Sequence, residues 1–470
     1  MRFDIGTRIT QCPSHRRPGW VLAIGVLPLF AWLAVGGTSY ARRSLTAPYH
    51  NALPIPHLSP ANVKRACMIV RQNLGADGYN ALLKHMQAVN QNIAVHGAAY
   101  NPRYKLWLFT GYDYGTYYDW DDYFENIYLS YNGISRFTVN NPTLFLRLER
   151  PDGFIPRYVS ANGYEKDAQF KPFLAQIAWL GFIQRHDLGW LKRNFSGLAL
   201  YLAKWRSYDC DHSGLAYWPQ GCDQAGMDNQ WSRTVGRSAG VDLNCYLVRE
   251  YQAMAHIAAV IGKPAQSQTY ARRALELTHR INTLLWDSKR SFYFDRNELT
   301  GKLTKVLAIS GFTPLWTGIA SRSQAAKLIT MHLLNRKEFW LKYPVASYAR
   351  TRRDFYVGSR HGECNWRGNT WIPTNYMIFH GLMHYGYLAA ARTLAYRTCE
   401  MALKNPETRE YYNSMTGAGL GRDPFWGWSA LAYVMPFEFE LRYNPTNLQT
   451  DVVPNLARAI GVVPPHIPSK

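Results

Sequence analysis

The feature that most constrains this chain is a recurring helical hairpin. Over 242–261, Leu243, Leu247, Met254, Ile257 and Ile261 fall at the three-to-four spacing of one helix face, and Gly262 and Pro264 then supply stop signals. The next segment repeats the pattern with Ala274, Leu277, Ile281 and Leu284. Comparable stretches lie near 60–73, 77–97, 170–184, 188–206, 323–335, 372–388 and 389–403, so helices come in pairs joined by turns. Strand-like pieces are few, Ser291-Phe292-Tyr293-Phe294 being one. No linker or compositional break interrupts 100–440, which argues against separate helical domains. The expected fold is all-α, a toroid of paired inner and outer helices with long loops gathered at one end.

Both ends of the chain differ from this body. Arg2, Arg8, Arg16 and Arg17 precede an apolar run from Trp20 to Val35, and GGTSYA follows at 36–41. A basic region, an apolar region and small residues at the end read as an export signal or signal anchor over 1–41. Pro28 interrupts the run, which is short for a full span and favours cleavage. The division is therefore a leader (1–41), a proline-containing linker (42–59), a catalytic-type domain (60–450) and a C-terminal tail (451–470). The expected location is periplasmic or extracellular, with membrane contact only through the N-terminal segment if it is retained. Seven cysteines fit such a compartment. Cys12 falls in the leader; Cys210 and Cys222 bracket a loop that a disulfide would clamp, while buried thiols are the alternative for all six remaining cysteines.

Charge and motifs narrow the chemistry. The net charge is +21, from 53 Lys+Arg against 32 Asp+Glu, but the basic residues are dispersed in short pairs such as Arg352-Arg353. Without a basic run or finger spacing, nucleic acid is not an expected partner. No G-x-x-x-x-G-K-[ST], H-E-x-x-H or C-x-x-C occurs, so neither metal nor cofactor is expected. Aromatics reach 14%, more than a core requires, and they interleave with acids in the loops. YYDWDDYFEN at 117–126 carries Asp119, Asp121, Asp122 and Glu125, and reads equally as a sugar-gripping site or as an acidic helix start. GCDQAGMDNQWSR at 221–233 carries Asp223 and Asp228, and TREYYNSMTGAGLG at 408–421 carries Glu410. His361-Gly362-Glu363 reads as loop filler. Carboxylates in aromatic loops of a helical ring suit glycoside hydrolysis, which needs a carboxylic acid and a carboxylate on opposite sides of the scissile bond.

Several motifs together resemble a known family. GLAYWPQGCDQAGMDNQ at 214–230 resembles the GL-PYW…SGMDN signature of glycoside hydrolase family 63, which includes processing α-glucosidase and bacterial mannosylglycerate and glucosylglycerate hydrolases. The family 37 trehalases are relatives. WDDYF at 120–124 resembles W-D-[ST]-x-F, and DGFIPR at 152–157 resembles D-G-x-I-P. NWRGNTWIPTNYMIFHGL at 365–382 resembles Y-R-G-P-x-W-x-x-x-N-Y. EYYNSMTGAGLG with FWGWSAL resembles E-x-Y-[ND]-P-x-T-G-E-G followed by F-G-W-[ST]. The matches run in family order over roughly 110–435.

That resemblance implies an (α/α)6 toroid and an inverting α-glycosidase with Asp228 as general acid and Glu410 as general base. It implies that Trp120 and Asp121 line the subsite of the released sugar, and that Arg157, Arg367, Trp371 and Asn375 contact hydroxyls or an anionic aglycone. Trp426 and Trp428 cap the site or pack beneath it. For Trp371 and Asn375 internal bracing is an equal expectation. The implied substrate is a carbohydrate, a small α-linked glucoside or mannoside such as a glycosylglycerate. A trehalase-like or oligosaccharide α-glucosidase, a non-catalytic sugar-binding envelope protein and a membrane-surface protein remain alternatives. Two departures stand out: Ser414 takes the place of the pattern's proline, and Ala418 the place of its second glutamate. The sugar, the aglycone and the oligomeric state are not legible from the sequence.

Overall fold

The computed structural model describes residues 59–113, 115–219, 225–230, 238–360, 362–448 and 455–468, all within the unit Ala52–Lys470. The leader, and with it the expected signal, lies outside the described residues. So do all but Ser59 of the expected linker, Asp223, and Cys222 of the expected disulfide. Cys67, Cys245, Cys364 and Cys399 are free thiols.

Twelve helices alternate between an outer and an inner layer among the described residues of the ring. They are α1 (Pro60–Asn92), α2 (Asp119–Tyr131), α3 (Phe137–Leu146), α4 (Leu174–Arg185), α5 (Leu188–Arg206), α6 (Val241–Val260), α7 (Pro264–Leu284), α8 (Thr313–Thr317), α9 (Arg322–Lys327), α10 (Ile372–His384), α11 (Leu388–Leu403) and α12 (Leu431–Leu441). The even-numbered helices close a ring: α2 packs on α4, α4 on α6, α6 on α8, α8 on α10, α10 on α12, and α12 returns to α2. Burial separates the layers. All 13 residues of α2 are buried, whereas α7, with 21 residues, buries only Tyr270, Ala274, Leu277 and Ile281. A helix buried on every side must be covered on every side. The fold is the expected (α/α)6 toroid.

Each outer helix carries the chain back before the next inner helix begins, so the inner helices run parallel and their N-termini share one rim. Short two- and three-stranded ribbons decorate the loops, for example Tyr117–Tyr118 against Tyr158–Ser160. Inside the ring, Phe173 and Trp316 stack at 6.3 Å, and the Arg249 guanidinium lies 3.9 Å from the Trp316 ring centre. Glu438 on α12 accepts the hydroxyls of Tyr131 (2.5 Å) and Tyr376 (2.6 Å), tying α2 and α10 to α12. Glu250 on α6 accepts the amides of Ala175 (2.9 Å) and Gln176 (3.0 Å), which satisfies unpaired donors in the first turn of α4.

Residues 455–468 of the C-terminal segment pack against α1. Leu456 and Ala457 are buried, the Asn90 amide donates to the Val463 carbonyl (2.9 Å), and the Val463 amide donates to Gln87 (2.9 Å), both on α1. Among the described residues no helix is long and apolar enough to cross a membrane.

Candidate active site

The expected site residues collect at the N-terminal rim of the inner helices. Trp120 and Asp121 open α2, Asp228 lies in the loop before α6, Trp371 caps α10, and Glu410 and Trp428 precede α12. YYDWDDYFEN opens a helix, with Asp119, Asp121 and Asp122 in its first turn, as its helix-start reading expects.

The loop 225–230 is held from beneath and from the side. Gly226 has φ +73°, and a Cβ there would lie 2.8 Å from Cε of Lys171. Lys171 is buried, with Nζ 2.8 and 3.0 Å from the two oxygens of Asp119 and 5.4 Å from the centre of the Trp120 ring. Asn229 clamps the loop laterally. Its side-chain oxygen accepts the Trp366 amide (2.8 Å), its carbonyl accepts Arg367 Nε (2.5 Å), and its amide donates to the Tyr356 hydroxyl (3.0 Å). Arg367 thus acts on the Asp228 loop through its neighbour.

Glu410 is fixed equally closely. Its Oε2 accepts the Arg422 amide (3.0 Å), its Oε1 lies 3.6 Å from the Cys364 sulfur, and its carbonyl accepts the Trp428 indole N–H (2.9 Å). Gly421 has φ +74°, and a Cβ at this position would stand 2.3 Å from Glu410 Oε2. Only glycine leaves room for the carboxylate there.

Electrostatics bring the two carboxylates together. Burial raises the Glu410 carboxyl above its usual range; the Arg422 amide and the Cys364 thiol pull it back, and the negative charge of Asp228 raises it further. Burial, Glu410 and Asp228 all push the Cys364 thiol up, both carboxylates acting on the same sulfur by charge and by hydrogen bonding. Residues 228 and 410, far apart in sequence, thus converge on one thiol. Burial opposes the Arg157 charge, but Asp119, Asp228, Tyr118 and Asp121 outweigh it and hold the guanidinium above its ordinary value. Asp121, which accepts the Tyr112 hydroxyl (3.0 Å), is raised by burial and by Asp119, with Lys171 opposing.

Aromatic rings wall the site. Trp366 and Trp371 stack at 3.9 Å with planes 9° apart, and Trp371 stacks on Tyr411 at 4.4 Å. Trp120 packs against Trp366 (5.9 Å) and Trp428 (6.0 Å). Asn375 and Trp426 make the internal bonds expected of their bracing and packing alternatives. The Asn375 amide donates to the Pro344 carbonyl (2.9 Å) and to Thr398 Oγ1 (3.1 Å), while its oxygen accepts the Val345 amide (2.9 Å). Trp426 is buried and donates to the Thr110 carbonyl (2.7 Å). Trp371 is also buried, its indole donating to the Asn365 carbonyl (3.0 Å), so it backs the wall. Glu363 is not filler: it accepts the Tyr356 hydroxyl (2.7 Å) and the Arg360 amide (2.9 Å). Ser414, in place of proline, donates to the Gly368 carbonyl (2.6 Å), a bond proline could not make.

Sequence reasoning does not single out Lys171, Asn229, Tyr356 or Cys364 as site residues. Only Asn229 carries a sequence signal, as the last residue of the G-M-D-N motif. Among the described residues no cluster of His, Cys, Asp and Glu could hold a metal ion.

This rim, on a twelve-helix ring, defines the class of protein: a toroidal glycoside hydrolase domain. The profile of the mannosylglycerate hydrolase MGH1-like glycoside hydrolase domain matches residues 118–429, and the chain belongs to that family. It is similar to the mannosylglycerate hydrolase of Rubrobacter radiotolerans, 29% identical over 40% of this chain and 41% of that one. It is also similar to the cytosolic neutral trehalase of Kluyveromyces lactis, 33% identical over 25% of this chain and 15% of that one. The match thus spans less than half the length of either relative. The crystal structure of a family 63 mannosylglycerate hydrolase from Thermus thermophilus in complex with glucose superposes with a TM-score of 0.61 at 20% identity, over 76% of this chain and 99% of that one.

Proposed function

We propose that the protein is an inverting α-glycosidase acting on a small α-linked glycoside with a carboxylate-bearing aglycone, a glycosylglycerate being the simplest. The convergence of Asp228 and Glu410 on the Cys364 sulfur supports this reading, because an inverting reaction needs two carboxyl groups at one site. Inversion requires a separation of roughly 6.5–9.5 Å, enough for a water beside the base. In this mechanism Asp228 gives its proton to the glycosidic oxygen as the C–O bond breaks. Glu410 takes a proton from the water that attacks the anomeric carbon from the opposite face. One water is consumed, and the acid and base exchange protonation states before the next turnover.

The surroundings favour these roles. Burial keeps Glu410 a stronger base than an exposed glutamate once it is ionised. Arg157 and Arg367 bracket the Asp228 loop and suit an anionic aglycone. Trp120, packed among Trp366 and Trp428, belongs to an aromatic wall of the kind that suits the C–H face of a sugar. The test is a product screen over α-linked glucosides, mannosides, their glyceric-acid conjugates and trehalose. Hydrolysis of a glycosylglycerate, abolished by Asp228→Asn and by Glu410→Ala, is the expected result. Turnover of trehalose alone would favour the trehalase-like reading, and no turnover of any glycoside the non-catalytic one.

We further propose that residues 1–41 direct export. N-terminal sequencing of the mature protein from the periplasm or medium should begin at Arg42. Recovery of an intact leader in the cytoplasm would contradict this.

A further inference from the structure

We propose that Cys364 is a positioning residue for the general base: its S–H holds Glu410 Oε1 while the Arg422 amide holds Oε2, so that both oxygens of the carboxylate are fixed. The inference rests on the reading of Glu410 as the base.

The sulfur is placed by its neighbours on both sides. On the N-terminal side, the Glu363 carbonyl accepts the Tyr411 hydroxyl (2.8 Å) and the Ser359 hydroxyl (3.2 Å), and the Glu363 side chain is held by Tyr356 and Arg360. On the C-terminal side, the Asn365 amide donates to the carbonyls of Tyr356 (3.0 Å) and Gly358 (2.7 Å), and its own carbonyl accepts the Trp371 indole. A residue anchored at both flanks cannot swing away without breaking these bonds. Its thiol therefore stands at a fixed 3.6 Å from Glu410.

The chemistry of the donor matters. A general base must be oriented, yet every hydrogen bond to its charged form lowers its basicity. A thiol is a weak donor, weaker than a hydroxyl, so it orients the carboxylate at a small cost in basicity. Burial and the two carboxylates push the thiol up, which keeps it protonated and donating. The charged and titratable groups acting on Glu410 are Asp228, Arg422 and Cys364, with Tyr411 beside it. Of these, Cys364 alone is a side-chain donor that substitution can remove without changing a charge.

The experiment is the pH profile of kcat/KM for the full chain, for Cys364→Ala and for Cys364→Ser, on whichever glycoside the product screen identifies, with thermal melts of each protein. The acid limb reports ionisation of the base in the free enzyme. Removing a donor to the charged form disfavours that form, so the limb of Cys364→Ala should move to higher pH by about half a unit, the weight of one weak hydrogen bond. Cys364→Ser keeps a donor and should return the limb to its wild-type position or below. A limb unmoved in Cys364→Ala, or shared by the two variants, would overturn the inference even if both lower the rate. A packing role alone would change the melting temperature or the rate without this rescue of the limb by serine. Glu410→Gln separates the two levels: if it retains activity, the assignment of the base has failed. If it is inactive while the limbs do not move, only the role of Cys364 has failed.

Discussion

Gly421→Ala probes the proposed base without touching it. A methyl group at this position would stand 2.3 Å from Glu410 Oε2, 2.7 Å from Glu410 Cβ and 2.8 Å from Tyr411 Cε1, against 3.4 Å or more for an ordinary contact. Relieving the clash moves the carboxylate oxygen by about 1 Å and breaks its bond to the Arg422 amide; misplacement on this scale costs a reaction about 100-fold. The expected fall in kcat/KM is therefore about 100-fold, equivalent to about 2.7 kcal/mol of transition-state stabilisation. Folding is strained as well, by about 1–2 kcal/mol for a left-handed alanine and about 1–3 kcal/mol for overpacking. That remains within the ~5–15 kcal/mol that keeps a domain folded, so the protein should be purified intact with a lowered melting temperature. Gly461→Ala is the control: it has φ +79° but nothing within 4 Å of the added carbon, so it carries strain without displacing any catalytic group. The assay is steady-state hydrolysis with a thermal melt of each variant. A Gly421→Ala protein that melts lower yet hydrolyses within threefold of wild type would refute the placement of Glu410 at the reacting centre.

Other consequences follow from the same geometry. Lys171→Met removes the cation hydrogen-bonded to buried Asp119 and should cost about 3–5 kcal/mol in chemical denaturation, whereas Lys171→Met with Asp119→Asn should recover part of that loss. A single variant as stable as wild type would show that the pair is dispensable. Asn375→Ala removes three internal hydrogen bonds and should cost about 2–4 kcal/mol of stability, with kcat/KM of the folded fraction unchanged within about threefold; a selective loss of activity would restore it as a substrate contact. Glu149 is raised to about 7 by burial, against ~4.3 in an unfolded chain. The protonated form is thus favoured on folding, and its stabilising effect is full below the unfolded value and lost as pH rises through about 7. Melting of wild type should therefore fall between pH 4.5 and 7 relative to Glu149→Gln. Parallel melting curves for the two proteins would contradict the assignment.

The outer layer is readily legible. Segments 188–206 and 264–284 show one apolar face because one face meets solvent, and periodicity reports that contrast directly. The inner layer is legible only in part: 170–184, 242–261 and 372–388 read as helices, but its other members do not. Asp119–Tyr131 is buried all round and keeps its acids through specific partners, Lys171 for Asp119, Tyr112 for Asp121 and Asn141 for Asp122, so no polar face marks it as a helix. Thr313–Thr317 is too short to show a period, and Leu431–Leu441 is apolar apart from Glu438 and Glu440. At the site, Asp228 and Glu410 are legible through the motifs around them. Cys364 and Lys171 are not, since their significance lies in which carboxylate each meets across the ring. Asn375 and Trp426 lie within site motifs yet serve the scaffold, because a motif records what a site needs, including what holds it up.

The most direct test of the central claim is the anomeric form of the first product. With an α-linked glycosylglycerate as substrate, NMR recorded during hydrolysis should show the β anomer of the released sugar before mutarotation adds the α form, as two carboxylates acting from opposite faces require. The α anomer appearing first would mean net retention, and would contradict the roles given to Asp228 and Glu410.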